Sequence, residues 1–255
     1  MATNAARTAH PYENTAVVDA RAPRFMQGTV ALLAAVALLT GWWWLFGLLA
    51  LQLGVGLVFG RRWCLPCVFY FEVIQPRVGE GPVEDARPPR FANLLGAAML
   101  TAAFLADLAG LRLVGAVLGG IVLLLAALAA STGLCVGCAL YRLLARARGV
   151  RPGKVGAIDV AALASEDLVE GVAAPARAAP APGLGPAADG VTVVQFTHPL
   201  CTDCHELERR LAAGPRSLLL VDVARRPDLA RRYHVTVVPT AFAVAPDGTV
   251  LERIA

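Results

Sequence analysis

Nothing ionisable occurs between Phe25 and Gly60, a run of 36 residues in which the apolar positions are interrupted only by Gly, Gln and Thr. As a single helix this run would be roughly 54 Å long, against a hydrocarbon core of about 30 Å. The pattern therefore predicts two helices of about 17 residues each, turning near Gly41, with Trp42, Trp43 and Trp44 at the membrane interface. A second apolar region repeats the layout, with Phe91 to Ala106, a polar break from Asp107 to Arg112, and an uncharged run from Leu113 to Tyr141. Four transmembrane helices are predicted, arranged as two hairpins. Gly115 and Gly119, at GxxxG spacing, would allow close helix approach.

The pattern changes toward the C-terminus. VTVVQF, LLLVDV, VTVVPT, AFAVAP and TVLERI are β-rich runs, separated by a helical stretch to about Leu211, by PDLARRY and by the turn signal Asp247-Gly248. The order is strand, helix, strand, helix and an antiparallel hairpin, a small α/β domain. Gly149 to Gly190 is rich in Ala, Pro and Gly, a linker composition, with Asp159 to Val172 as a short amphipathic helix within it. The expected organisation is a polar tail over residues 1–18, a helical membrane domain over 19–149, a linker over 150–189 and the α/β domain over 190–255.

The membrane domain is internally duplicated. DARAPRF at Asp19 to Phe25 and DARPPRF at Asp85 to Phe91 each precede a hairpin, and each hairpin ends in a cysteine pair, CLPC at Cys64 to Cys67 or CVGC at Cys135 to Cys138. The offset is 66 residues at the start and 71 at the cysteines, defining repeats of about 19–84 and 85–149. Each repeat crosses twice, so the two are parallel, related by an axis along the membrane normal.

Composition agrees: 57% of residues are apolar and 16% charged, against about 45–50% and about 25% in soluble domains. No small-residue cleavage signature follows the first apolar segment, which predicts a retained span. Arg7, Arg21, Arg24, Arg61, Arg62, Arg77, Arg87, Arg90, Arg142, Arg146, Arg148, Arg151 and Lys154 flank the spans on one side, and Arg112 stands alone on the other. The positive-inside rule then puts both termini in the cytoplasm, a reducing compartment in which structural disulfides are not expected. The net charge of +4 resides mostly in these flanks, since Gly190 to Ala255 carries eight Arg against seven acidic residues. Nucleic acid is not an indicated partner; the lipid bilayer is.

The densest chemistry lies in THPLCTDCHE, Thr197 to Glu206. The residues alone admit a redox or sulfur-transfer dithiol, a metal site completed by His198 and His205, or a structural turn. Its place after a β-rich run, followed by Val238-Pro239-Thr240 before the hairpin, resembles the thioredoxin family over roughly 65 residues. The resemblance implies a thiol-disulfide oxidoreductase acting on protein thiols and disulfides, with no resident cofactor and with Pro239, in cis, bordering the dithiol. A thiol at a helix N-terminus is stabilised as thiolate, which makes Cys201 the expected nucleophile and Cys204 the resolving thiol. The chain departs from the family at Leu200, where tryptophan is usual, and at Thr202-Asp203, where the anion opposes thiolate formation. It also lacks the family's last helix and a clear first strand-helix unit. One sheet face is therefore expected to be bare and to dock on the membrane domain or on a partner.

All six cysteines occur in Cys-x-x-Cys. For Cys64, Cys67, Cys135 and Cys138 three readings stand: a thiol couple exchanging electrons or sulfur with the tethered domain, four thiolates converging on zinc or an iron-sulfur centre, or packing at helix ends. Gly60 and Gly133 precede them as helix breakers. Arg61, Arg62 and Arg142 are candidates for activating the first cysteine of each pair, and Glu72 is a solvated residue beside CLPC. The CLPC and CVGC elements and the arginine-proline approach to each repeat resemble the DUF4395-type four-span bacterial membrane domain, implying a bacterial plasma-membrane location. The expected function is a membrane-anchored thiol oxidoreductase that reaches its partner dithiols through a linker spanning roughly 30 Å or more. The alternative is a protein that binds or delivers zinc or copper(I).

Overall fold

The computed structural model describes residues 9–148, 158–160, 163 and 190–255. The chain divides into two compact units, Met1–Leu143 and Leu144–Ala255.

The first unit begins with a short strand, β1 (Val17–Asp19), followed by helices α1 (Arg21–Thr40) and α2 (Trp44–Val58). Gly41, in the left-handed conformation at φ 70°, ends α1, and Gly60, at φ 88°, ends the run that contains α2. A 3₁₀ turn (Arg61–Trp63), α3 (Leu65–Phe69), a π-helical turn (Tyr70–Ile74) and α4 (Gln75–Val78) lead to β2 (Val83–Asp85). The π turn comes just before Pro76, which has no N–H for the α ladder; Gln75 N–H reaches back to the Tyr70 carbonyl. The second repeat supplies α5 (Arg87–Leu108), α6 (Arg112–Thr132) and α7 (Val136–Arg148).

At 1.5 Å per residue, α1, α5 and α6 are each about 30 Å or more in length. These three are long and apolar enough to cross a membrane. Where the sequence predicts two equal spans of about 17 residues, α2 has 15: the chain turns through Trp42 and Trp43 before it, and the break at Gly60 closes it early. Leu39, Leu113 and Leu124, 87%, 79% and 70% exposed, belong to an apolar surface that water would not tolerate and lipid would. Inside, small residues dominate the contacts: Ala34, Ala37, Ala103, Ala126, Gly115 and Gly119 are buried. A Cβ at Gly119 would strike the Phe46 ring, one at Gly47 the Phe104 ring and one at Gly115 the Asp107 carboxylate. The GxxxG pair thus seats a ring and a carboxylate.

The duplication appears in the structure as a local two-fold. β1 and β2 pair antiparallel with Val17 opposite Asp85, Val18 opposite Glu84 and Asp19 opposite Val83. Adding the 66-residue offset to either strand returns the same set of pairs, so the axis passes between Val18 and Glu84. The flanking hydrogen bonds obey it too: Ala20 N–H to the Pro82 carbonyl and Ala86 N–H to the Ala16 carbonyl are both 2.9 Å. Asp19 and Asp85 each fold back to accept from the backbone N–H two residues on, at 2.9 and 2.8 Å. The helices follow the same exchange, α1 packing mainly on α6 and α2 on α5.

In the second unit a four-stranded sheet runs in the order β4 (Ser217–Asp222), β3 (Thr192–Thr197), β5 (Thr240–Val244), β6 (Val250–Arg253). β4 is parallel to β3, while β5 is antiparallel to β3 and to β6. α8 (Thr202–Ala212) joins β3 to β4, and α9 (Pro227–Arg232) follows β4. Alternation sorts the strands: Val193, Leu218 and Ala241 pack with Leu211 on one face, and Val194, Phe196, Leu219, Val221 and Phe242 on the other with Leu229 and Tyr233. The face expected to be bare is covered within the unit itself. Ile158 and Leu163, from the stretch read as linker, are buried in that second cluster, and Ile158 N–H bonds the Gly248 carbonyl at 2.8 Å. Apart from 158–160 and 163, residues 150–189 lie outside the described residues, and with them most of the helix expected at Asp159 to Val172.

Candidate functional site

Each of the three Cys-x-x-Cys motifs opens a helix, with its first cysteine just before the first turn. The carbonyls of Cys64, Cys135 and Cys201 accept from the N–H groups of Val68, Ala139 and His205, at 2.9, 2.9 and 3.3 Å. A cysteine in this position meets the unsatisfied N–H groups and positive dipole end of a helix, which favour a thiolate.

At the C-terminal motif, Cys201 is the N-cap of α8 and its sulfur accepts from Cys204 N–H at 3.2 Å. Cys201 and Cys204 are disulfide-bonded, with Cα atoms 5.2 Å apart, and neither has exposed surface. The cytoplasmic position expected from the arginine distribution would favour thiols; the i, i+3 spacing across the first helical turn places the two sulfurs within bonding reach. The Val238-Pro239 peptide is cis, as the thioredoxin resemblance implies. Phe196 opposes Thr240 in the β3–β5 register, which brings Pro239 alongside the end of β3 from which the CTDC loop departs. Val238 shares the buried cluster of Cys201 and Cys204.

Of the two histidines, expected at the surface, only His205 lies there. His198 is buried, its Nδ1 accepting from Leu200 N–H at 3.2 Å, so it shapes the loop. His205 is exposed, 2.9 Å from the Pro199 carbonyl and 3.5 Å from Glu208. Gln195, which the sequence reading passed over, lies fully buried in β3, donating to the Cys204 carbonyl at 2.8 Å with its Oε1 unpaired. Its signal was present: an amide in the middle of VTVVQF is out of keeping with a buried strand.

At CLPC, Cys64 and Cys67 are also disulfide-bonded, with Cα atoms 5.1 Å apart. Cys64 is buried, its sulfur 4.0 Å from that of Met26. A cavity of about 80 Å³ beside it is lined by Arg61, Cys64, Cys67, Arg90 and Asn93 among others. Arg61, expected to activate Cys64, is committed elsewhere. Its guanidinium donates to the carbonyls of Pro11, Asn14, Thr15 and Val17 at 2.9, 3.5, 3.3 and 2.6 Å. Burial, with a smaller contribution from Arg90, lowers its pKa to about 10. Arg62 lies over the Tyr12 ring, 5.4 Å from its centre. Nearby, the buried Asp19 carboxylate accepts from the Tyr70 hydroxyl and Gln75, both at 3.0 Å; burial first, and then the Asp19 charge, push the Tyr70 phenol well above its ordinary range. Glu72 is exposed and accepts from the Tyr12 hydroxyl at 2.9 Å.

At CVGC, by contrast, Cys135 and Cys138 are free and half-buried. The Cys135 sulfur accepts from Cys138 N–H at 3.3 Å and from Gln27 Nε2, on α1 of the other repeat, at 3.5 Å. The hydrogen bond from the Cys138 thiol, opposed by burial and supported by Gln27, lowers the Cys135 pKa to about 6. That same bond, burial and the Cys135 charge push Cys138 far above its ordinary value. The two shifts run in opposite directions, favouring thiolate on Cys135 and thiol on Cys138. A cavity of about 180 Å³ adjoins it, lined by Arg24, Gln27, Glu84, Cys135, Cys138 and Arg142 among others, and Arg142 lies 4.0 Å from Glu84. A separate apolar cavity of about 250 Å³ reaches Cys135 from the side of Val30, Met99 and Leu140.

The two membrane-unit pairs flank a shared wall, since both cavities include Val18, Pro23 and Pro89. They do not converge into one ligand set: among the described residues no group of three or more His, Cys, Asp or Glu is placed to hold a metal ion. Gln27, too, was missed by the sequence reading, although it occupies the same place after DARAPRF as Asn93 does after DARPPRF. The model of the domain of unknown function DUF4395 matches residues 18–146, just over half of the chain. No curated protein and no solved structure matches it.

Proposed function

The chain belongs to the DUF4395 family, and from that premise we propose that it is a membrane-anchored thiol-disulfide oxidoreductase whose C-terminal unit is of thioredoxin type. One observation carries the reading: a Cys-x-x-Cys pair opens the helix that directly follows a central strand, with a cis-proline at the same end of the sheet. In the reductive direction Cys201 thiolate attacks a protein disulfide, forming a mixed disulfide and releasing one substrate thiolate. Cys204 then attacks the Cys201 sulfur and releases the second, so two cysteines are oxidised as one substrate disulfide is reduced. Cys201 has no exposed surface in the bonded state, so a substrate reaches it only after covering residues move aside. Pro239 shapes the groove.

The membrane part is a bacterial plasma-membrane domain with α2 as a fourth span. At 15 residues α2 is about 22 Å long, and the uncharged flanks from Gly41 to Gly60 extend its apolar length. The arginine distribution supports a cytoplasmic position for both termini. There the dithiols Cys64/Cys67 and Cys135/Cys138 serve as partners of the tethered unit.

Full-length protein carrying C204S tests the reading: it accumulates protein substrates on Cys201 as mixed disulfides, and C201S/C204S abolishes them. If both variants capture the same proteins equally, the reading fails. A bond from Cys201 to one of the four membrane-unit cysteines supports the relay.

A further inference from the structure

The CVGC site has the parts of a reactive centre independently of the C-terminal unit. Cys135 is half-buried at a helix start, its sulfur is approached by an amide from the other repeat, and it borders a cavity whose charged lining is two arginines against one glutamate. Arg24 is held at this cavity by close packing against Gly133, where any Cβ would meet its guanidinium. A volume of about 180 Å³ admits one arm of a small molecule and excludes a folded chain. We propose that Cys135 and Cys138 form a second dithiol site, which reduces low-molecular-weight disulfides bearing carboxylates, oriented by Arg24 and Arg142. The inference goes beyond the reading of Cys201 and Cys204 and does not depend on it.

The chemistry balances. Cys135 thiolate attacks one sulfur of the small disulfide, forming a Cys135 mixed disulfide and expelling the other arm as thiolate. Cys138 loses its proton to that expelled thiolate or to water and attacks the Cys135 sulfur, expelling the second arm. One substrate disulfide becomes two thiols as the dithiol becomes the Cys135–Cys138 disulfide, and an external dithiol returns the site to its starting state. Gln27 is a positioning residue that fixes the attacking sulfur. The proton distribution described above matches this assignment of attacking and resolving roles.

The test uses full-length protein in detergent carrying C138S, which holds the first arm on Cys135. It is reacted with dithiodiglycolate, diethyl disulfide and cystamine, which are anionic, neutral and cationic, with rates normalised to those of dithiothreitol. Expected is an adduct at Cys135 by peptide mass, with dithiodiglycolate favoured over cystamine by about tenfold at low salt, and loss of that preference in R24Q/R142Q. Normalised rates that favour the neutral or the cationic probe overturn the proposal. So do adducts found only on Cys201, an outcome that leaves the proposed role of the C-terminal unit untouched. Should C138S not fold, a single turnover of pre-reduced C201S/C204S, read as thiols released per chain, must show the same order of probes; any other order also overturns the proposal.

Discussion

CLPC and CVGC occupy equivalent places in two copies of one scaffold, yet one is a disulfide whose first cysteine is buried and the other a half-buried pair of free thiols. The strand register and the aspartate turns do not explain the difference, because they are the same in both. What lies against each copy does explain it. Arg61 gathers four carbonyls of the N-terminal segment around the first site, whereas the position 71 residues on is Thr132, which bonds only within its own helix turn. The second position between the cysteines is Pro66 in one motif and Gly137 in the other, and a Cβ at Gly137 would collide with Ala92 of α5. Duplication thus repeats the frame, while the added contacts decide which copy is sealed.

The largest test of this contrast is alkylation without reductant. Iodoacetamide at pH 7 labels Cys135 and leaves Cys64, Cys67, Cys201 and Cys204 unlabelled, read by peptide mass; equal labelling of Cys64 and Cys135 would remove the contrast altogether. Next in size is Arg61→Ala, which deletes charge-assisted bonds worth roughly 2–3 kcal/mol in total. It should free residues 9–16 for proteolysis and speed reduction of the Cys64–Cys67 disulfide, making the first site resemble the second. Gln27→Leu removes a donor to the thiolate, so the Cys135 alkylation midpoint moves up from about 6 by up to about one pH unit, and reactivity at pH 6.5 falls. Glu84→Gln has the smallest effect. It releases Arg142 from an exposed pair worth at most about 1 kcal/mol, and because the Glu84 charge raises the Cys138 pKa, Cys138 alkylation at pH 9 increases slightly with little change in melting temperature.

Much of this was legible in the chain. The uncharged runs delimit α1, α5 and α6, and Cys-x-x-Cys after a glycine or a β-rich run marks three helix starts. DARAPRF and DARPPRF announce the duplication, and Val238-Pro239-Thr240 marks the cis-proline. Long-range partners were not legible. β1 and β2, three residues each, are too short for any periodicity and exist because the repeats meet there. The burial of His198 depends on the loop that carries it, and the covering of the sheet by Ile158 and Leu163 depends on a contact across more than eighty residues. Arginines near a cysteine in sequence looked like activators; Arg61 instead found backbone carbonyls, the acceptors within its reach.

The register of β1 against β2 has a consequence for how such a chain is put together. An antiparallel pair centred on its own axis is a contact that two identical half-length chains can make as a closed, isologous dimer. The protein is in that sense a dimer written on one thread, and joining its halves released each subunit from the requirement of being identical to the other. One cysteine pair was thereby free to become a locked clasp while its twin stayed open.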